Sequence, residues 1–362
     1  MRRLLAIHIA VTGLLAGAAQ AAEPPRYVVD ATWPKPLPHN WIMGQIGGLA
    51  VDAQNHVWVN QRPKSLTDDE RGAALATPES KCCVPAPPVM EFDQEGNLVQ
   101  AWGGPGTGYD WPDVEHGMFV DAKGFVWVAG NGPKDGMILK FTRDGKFVKQ
   151  IGHRGDVDSN SKTHMGRPAD LWVDEVAREV YVADGYGNRR VVVWDSETGA
   201  YKRHWGAYGH LPSDASTGAY DPKAPPSQQF ANPVHCVQIA PDGLVYVCDR
   251  TNNRIQIFTK AGTFVREWFY ERETRRAGSV WDLAMSPDPT RSLLVTADGT
   301  NNEVRILDRQ SGEVLGTFGR NGRQAGDFHW IHQIAMDSQW NVYTGEVDSG
   351  KRIQKFKPAQ PR

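Results

Sequence analysis

The chain has no basic surplus: Lys and Arg number 40 against 42 for Asp and Glu, a formal net charge of −2 over 362 residues. Binding to phosphate backbones draws on clustered excess cations, so nucleic acid is not an expected partner. Beyond residue 21 there is no apolar run long enough to span a bilayer, and no membrane association is expected once that leader is removed. Cysteine is scarce, with four in all. Charged residues at 23% and hydrophobic residues at 40% leave no case for a mostly disordered chain, and the length is ample for a large core. What is abundant is Gly (37), Pro (24) and Trp (13), a mixture of turn-formers and large aromatics that favours many short strands over a helical bundle.

Residues 1–21 read as a secretory signal. Arg2 and Arg3 precede an apolar run from Leu4 to Ala19, and Ala19-Gln20-Ala21 supplies a small-x-small cleavage site. The mature chain, residues 22–362, is therefore expected in the periplasm or outside the cell, where an oxidising medium lets cysteines pair.

The mature sequence repeats. An apolar strand, an Asp/Gly turn and a second strand of the Val-Trp-Val or Val-Tyr-Val type recur six times, the second strands starting at Val57, Val126, Val180, Val245, Leu293 and Val342. Each spacing fits one four-stranded blade, so the expected fold is all-β, a six-bladed β-propeller. The sixth unit runs out of chain after Phe356, while Tyr27 to Trp33 is an unassigned strand-like segment at the other terminus. Pairing the two closes the ring and removes exposed edges. A two-sheet sandwich would not explain six similar units.

Asp52, Asp121, Asp174, Asp242 and Asp337, which follow the first strands, are expected to be turn residues rather than catalytic acids. In the fourth unit, a hairpin pairing Ala240 with Leu244 would set Cys236 opposite Cys248 at disulfide distance, unless a bulge shifts the register.

Aligned on their first strands, the six units place Gly47, His116, Ala169, His235, Trp281 and His332 just ahead of the innermost strands. Histidine falls on every second blade, and blades two, four and six are about 120° apart, so three imidazoles aim at one point on the axis. Three neutral imidazoles with an open fourth position suit a catalytic zinc. Residues just after the second strands reach the same face, which selects Arg62, Tyr186 and Arg250. Two Arg and a Tyr beside a metal suit a carboxylate-bearing small-molecule or peptide substrate, with Arg clamping the anion and Tyr moving a proton. Two long segments, 60–88 and 207–230, emerge on this side and read as walls or lids.

These features resemble the NHL-repeat propellers, and in particular the peptidyl-α-hydroxyglycine α-amidating lyases. The likeness is carried by Ile46 to Asp52, His116-Gly117, Tyr181 to Arg189, Pro233-Val234-His235, the run from Asp249-Arg250 to Gln256, and His332. It implies zinc on His116, His235 and His332, Tyr186 as a base whose phenolate Arg62 favours, and Arg250 beside the substrate carboxylate. The implied reaction cleaves a carbinolamide C–N bond to give an amide and glyoxylate. The resemblance also implies an axial structural calcium with main-chain ligands at Ile46 and Met118. Three departures stand out. Gln333 replaces an Asp that would ligate calcium, Gly187 replaces a disulfide cysteine, and no copper monooxygenase domain is expected ahead of the propeller, so a hydroxyglycine substrate is expected to come from elsewhere. The competing class is a non-catalytic NHL propeller that binds a protein or glycan. A calcium-dependent sugar lactonase of similar shape is disfavoured by axial histidines in place of carboxylates.

Overall fold

The computed structural model describes residues 24–360, so the leader assigned to residues 1–21 lies outside the described residues. Six four-stranded antiparallel sheets follow one another round a ring. Their innermost strands are Gln45–Val51, Glu115–Val120, Asp170–Asp174, Val234–Ile239, Asp282–Met285 and Ile331–Met336. The expected six-bladed propeller is the observed fold. The strands of a blade alternate side chains between its two faces, and each face packs on the next blade. The buried residues accordingly form one cluster per blade interface, such as Tyr181 and Val193 of blade three with Val237 and Val247 of blade four.

Blade six is completed by Tyr27–Val29, which pairs antiparallel with Ile353–Pro358, Tyr27 opposite Pro358 and Val29 opposite Phe356. The expected strand reached Trp33; the observed one stops at Val29, because Asp30 turns the chain by accepting from the Thr32 amide and hydroxyl at 3.1 and 2.8 Å. Trp33 then enters the core between blades six and one, against Tyr343 and Phe92. Its place is that of an outer-strand aromatic elsewhere in the ring. Trp102, Trp205 and Trp268 lie on Gly145, Gly262 and Gly312 of the next blade, where an added Cβ would come within 2.4–2.8 Å of the indole. Trp33 lies on Gly96 of blade one in the same way, at 2.7 Å. The ring thus closes with the same blade-to-blade contact that it uses internally.

The turn aspartates do what the repeat needs. Asp52 accepts from the amides of Gln54 and His56 and from the Trp58 indole, and Asp121 repeats this with Lys123, Phe125 and Trp127. One carboxylate therefore caps the hairpin and satisfies the buried aromatic of the second strand. Cys236 and Cys248 stand opposite each other and are disulfide-bonded, and Cys82 and Cys83 are bonded to one another. Both long loops line the histidine side: 63–88 is tied to blade six by Lys351, which donates to the Ser65 carbonyl at 2.9 Å, and 207–230 is tied to the segment between blades four and five by Tyr220, which donates to the Arg272 carbonyl at 2.8 Å.

Candidate metal centre

His116, His235 and His332 are each the second residue of an inner strand, and all three are buried. At each of them the ladder with the second strand skips: pairing breaks between Glu115 and Met118, Val234 and Cys236, and Ile331 and Gln333. A bulge leaves its residue outside the ladder and re-aims the side chain, here toward the axis. The ring centroids lie 4.7, 4.9 and 5.2 Å apart, and one nitrogen from each ring falls within 4.8 Å of the others.

Each imidazole is oriented by a carbonyl of the following blade. His116 Nδ1 donates to Ala169 O at 2.6 Å, His332 Nδ1 to Ile46 O at 3.0 Å, and His235 Nδ1 to Trp281 O. Carbonyls only accept, so the proton is assigned to Nδ1 and the Nε2 lone pair is left facing the axis. Burial, reinforced by the positive charges of Arg62 and Arg250, holds all three well below the ordinary histidine range and hence neutral. Three buried, neutral, pre-oriented nitrogens with an open side fit a zinc ion.

Tyr186 reaches this centre from the loop after the second strand of blade three. Its hydroxyl lies 3.2 Å from His116 Nε2 and 3.0 Å from His235 Nε2. Gly185 permits the approach: a Cβ there would lie 1.9 Å from the Val234 carbonyl oxygen, next to His235. Arg250 donates from Nη1 to the Tyr186 hydroxyl at 3.1 Å, with its guanidinium 4.2 Å from the Trp281 ring. The resemblance gave the phenol's cation to Arg62. Arg62 hydrogen-bonds to the Glu115 carbonyl at 2.7 Å and to Gln45 Oε1 at 2.9 Å, while burial lowers its pKa against the opposing electrostatic influence of the nearby Tyr186. Arg62 Nη2 and Arg250 Nε are buried without a protein partner, so two charged donors are left over. A cavity of about 330 Å³ opens here, lined by Arg62, Tyr186, Arg250 and His332 with Gln45, Trp281 and Trp330.

The loops that carry Tyr186 and Arg250 are braced by buried ion pairs. Asp184 ends the second strand of blade three and binds Arg190 at 2.7 Å, and Asp249 binds Arg254 at 2.7 Å one blade on. Asp184 also accepts from Gly166 N and Asn188 Nδ2. Fully partnered buried charges fix a loop geometry that an apolar pair would leave open.

The sequence reading missed several participants. Trp281, which the alignment placed in register with the histidines but gave no role, flanks Arg250, and Gln45, which it did not single out, holds Arg62. One residue further along the inner strands, Asp170 and Asp282 line a second cavity on the axis. Both are buried; burial raises Asp170 to about 7, and burial plus the charge of Asp170 holds Asp282 well above the usual carboxylate range. The axis therefore carries carboxylates as well as histidines; extending the alignment by one position reveals the pair. A second group of metal-binding residue types, Asp52, His56 and Glu91, is filled by Arg143, which pairs with both carboxylates.

Residues 234–258 match the NHL repeat model. The chain is 25% identical over 348 residues to peptidyl-glycine alpha-amidating monooxygenase B of Xenopus laevis, covering 91% of this chain and 35% of that protein. It thus spans about a third of that relative's length. NHL repeat-containing protein 3 of Mus musculus is 27% identical over 359 residues, 94% of this chain and 86% of its own. A probable peptidyl-alpha-hydroxyglycine alpha-amidating lyase of Caenorhabditis elegans is 25% identical over 225 residues, 60% of this chain and 56% of its own. Among solved structures, a streptogramin B lyase superposes with a TM-score of 0.51 at 14% identity, covering 93% of this chain and 88% of that one, a likeness of fold alone. The chain is thus a six-bladed β-propeller that carries an NHL repeat at residues 234–258 and resembles the peptidyl-α-hydroxyglycine α-amidating lyases.

Proposed function

We propose that the chain is an exported zinc-dependent lyase that cleaves a peptidyl-α-hydroxyglycine-like carbinolamide into an amide and glyoxylate. The observation that carries this reading is the Tyr186 hydroxyl, held against the Nε2 atoms of two of three buried imidazoles whose Nδ1 atoms are tied to main-chain carbonyls. Zinc held by His116, His235 and His332 would acidify and orient the substrate hydroxyl. Arg62 and Arg250 offer their unpartnered N–H groups to the substrate carboxylate. Tyr186 takes the hydroxyl proton, the oxygen lone pair forms the aldehyde C=O, the C–N pair leaves to nitrogen, and nitrogen gains a proton. Atoms balance without any redox partner. Trp281 and Trp330 wall the cavity.

The similarity to NHL repeat-containing protein 3 favours a second reading, a propeller that binds a protein or glycan without turnover. Metal analysis of the purified mature chain followed by glyoxylate release from a hydroxyglycine peptide separates them. Stoichiometric zinc with turnover supports the lyase. Absence of bound zinc, with no turnover after zinc addition, favours the binding module.

A further inference from the structure

Beside the centre lies a larger cavity, about 690 Å³, between the 207–230 loop and the 271–278 segment. Five arginines line it, at 189, 254, 272, 275 and 276, with Asp221 as the only acidic lining residue among the described residues. Arg254 is neutralised by Asp249 and Glu267. The other four have no carboxylate within ion-pair distance among the described residues. Arg189 donates from Nε to Asn232 Oδ1 at 2.7 Å and from Nη1 to the Ala215 carbonyl, both neutral acceptors, and Arg272 lies 4.8 Å from the Phe269 ring. The cavity is therefore walled by cations that the protein itself leaves unpaired.

It is also joined to the centre through the chain. Arg189 is three residues after Tyr186, Asn232 three before His235, and Thr251 follows Arg250 directly. Asn232 donates to the carbonyls of Gly187 and Asn188, and Thr251 donates to the Asn232 carbonyl at 3.2 Å, so these wall residues form one hydrogen-bonded seam. Gly278, at φ +76°, lets the 271–278 segment lie on Arg250: a Cβ there would sit 1.9 Å from the Arg250 carbonyl oxygen. Three residues span at most about 10 Å, which an extended peptide also covers in about three residues.

We infer that this groove is a substrate subsite for acidic side chains, so that the preferred substrate is a peptide with Asp or Glu about two to four residues before its reacting C-terminal end. The inference rests on the lyase reading for the position of that end. Four guanidinium groups without a carboxylate partner among the described residues suit acidic side chains, which they can grip through their N–H donors.

The test measures binding separately from turnover. Two glycine-extended peptides with a neutral fluorophore, one with Glu at the third and fourth positions before the terminal glycine and its Gln twin, lack the hydroxyl and cannot be cleaved. The Glu peptide is expected to bind wild-type protein about tenfold more tightly in 50 mM salt, with the gap shrinking at 0.5 M salt as charges are screened. Arg275→Glu with Arg276→Glu, both exposed, should abolish the gap with zinc content unchanged; Lys123→Glu, on the opposite face, should preserve it. Equal binding of the two peptides to wild-type protein overturns the subsite. Glyoxylate release from the hydroxylated twins is measured in parallel. Charge discrimination without turnover supports the groove and overturns the lyase; turnover with one KM for both twins overturns the groove and supports the lyase.

Discussion

Arg250 donates to the hydroxyl of Tyr186 at 3.1 Å and at the same time stacks on Trp281, so one cation touches both the proposed base and the wall of the cavity. Trp281 in turn offers its main-chain carbonyl to His235. Base, cation and one imidazole are therefore linked by one chain of contacts, and removing Arg250 is expected to disturb more than substrate binding.

Tyr186→Phe is expected to keep the fold and the metal and to lower kcat by roughly 10², the usual scale for losing a general base. Arg250→Ala should lower kcat and raise KM together, while Arg62→Ala, whose hydrogen bonds go to Glu115 and Gln45, should act mainly on KM. Steady-state kinetics on a hydroxyglycine peptide checks all three. Full turnover by Tyr186→Phe would remove it as the base.

His116→Ala, His235→Ala or His332→Ala should each strip zinc, since two imidazoles and water hold the ion far less tightly than three converging ones. The bulges that aim the rings are main-chain features, and the propeller should persist in each variant. Metal analysis beside circular dichroism reads both. Stoichiometric zinc in all three variants would sink the assigned ligand set.

Trp33→Ala should destabilise the closure between blades six and one by about 3–5 kcal/mol, the range for emptying a buried aromatic site. Trp33→Phe should cost less, because it keeps a ring on Gly96 and removes an indole N–H that is buried without a partner. Denaturant midpoints order the variants. Equal losses for Phe and Ala would contradict a packing role.

Ring, blade boundaries and histidine trio were legible because each repeats: six strand–turn–strand hairpins, five of them with Asp at the turn, set a period, and a residue type recurring in register on alternate blades stands out against it. The Cys236–Cys248 bond was legible because one tight turn fixes its register. Arg250 as the partner of the Tyr186 hydroxyl was not, since that choice depends on side-chain reach across the axis. Nor was the Arg groove, whose walls come from two loops of different blades with no shared pattern. Trp33 read as strand because its aromatic spacing copies the outer strands, whose packing role it does fill.

Asp170 and Asp282 give the last prediction, a pH dependence. Asp170 accepts from Val237 N, and Asp282 from Leu283 N and Ile334 N, yet burial outweighs these bonds and raises both, Asp170 to about 7. An unfolded Asp titrates near 3.8. Between that value and about 7 the unfolded chain gives up its proton while the folded protein keeps it, so stability from this source is full below the lower value and lost as pH climbs through the upper one. Asp170→Asn keeps an oxygen for the Val237 amide and removes the titration. It should therefore raise stability relative to wild type clearly at pH 8 and far less at pH 5. Denaturation is to be followed with a chelator in both samples, because a divalent cation between the carboxylates would favour their charged forms. A gain that is the same at both pH values would show that the buried pair is already ionised across this range and that the raised pKa is wrong.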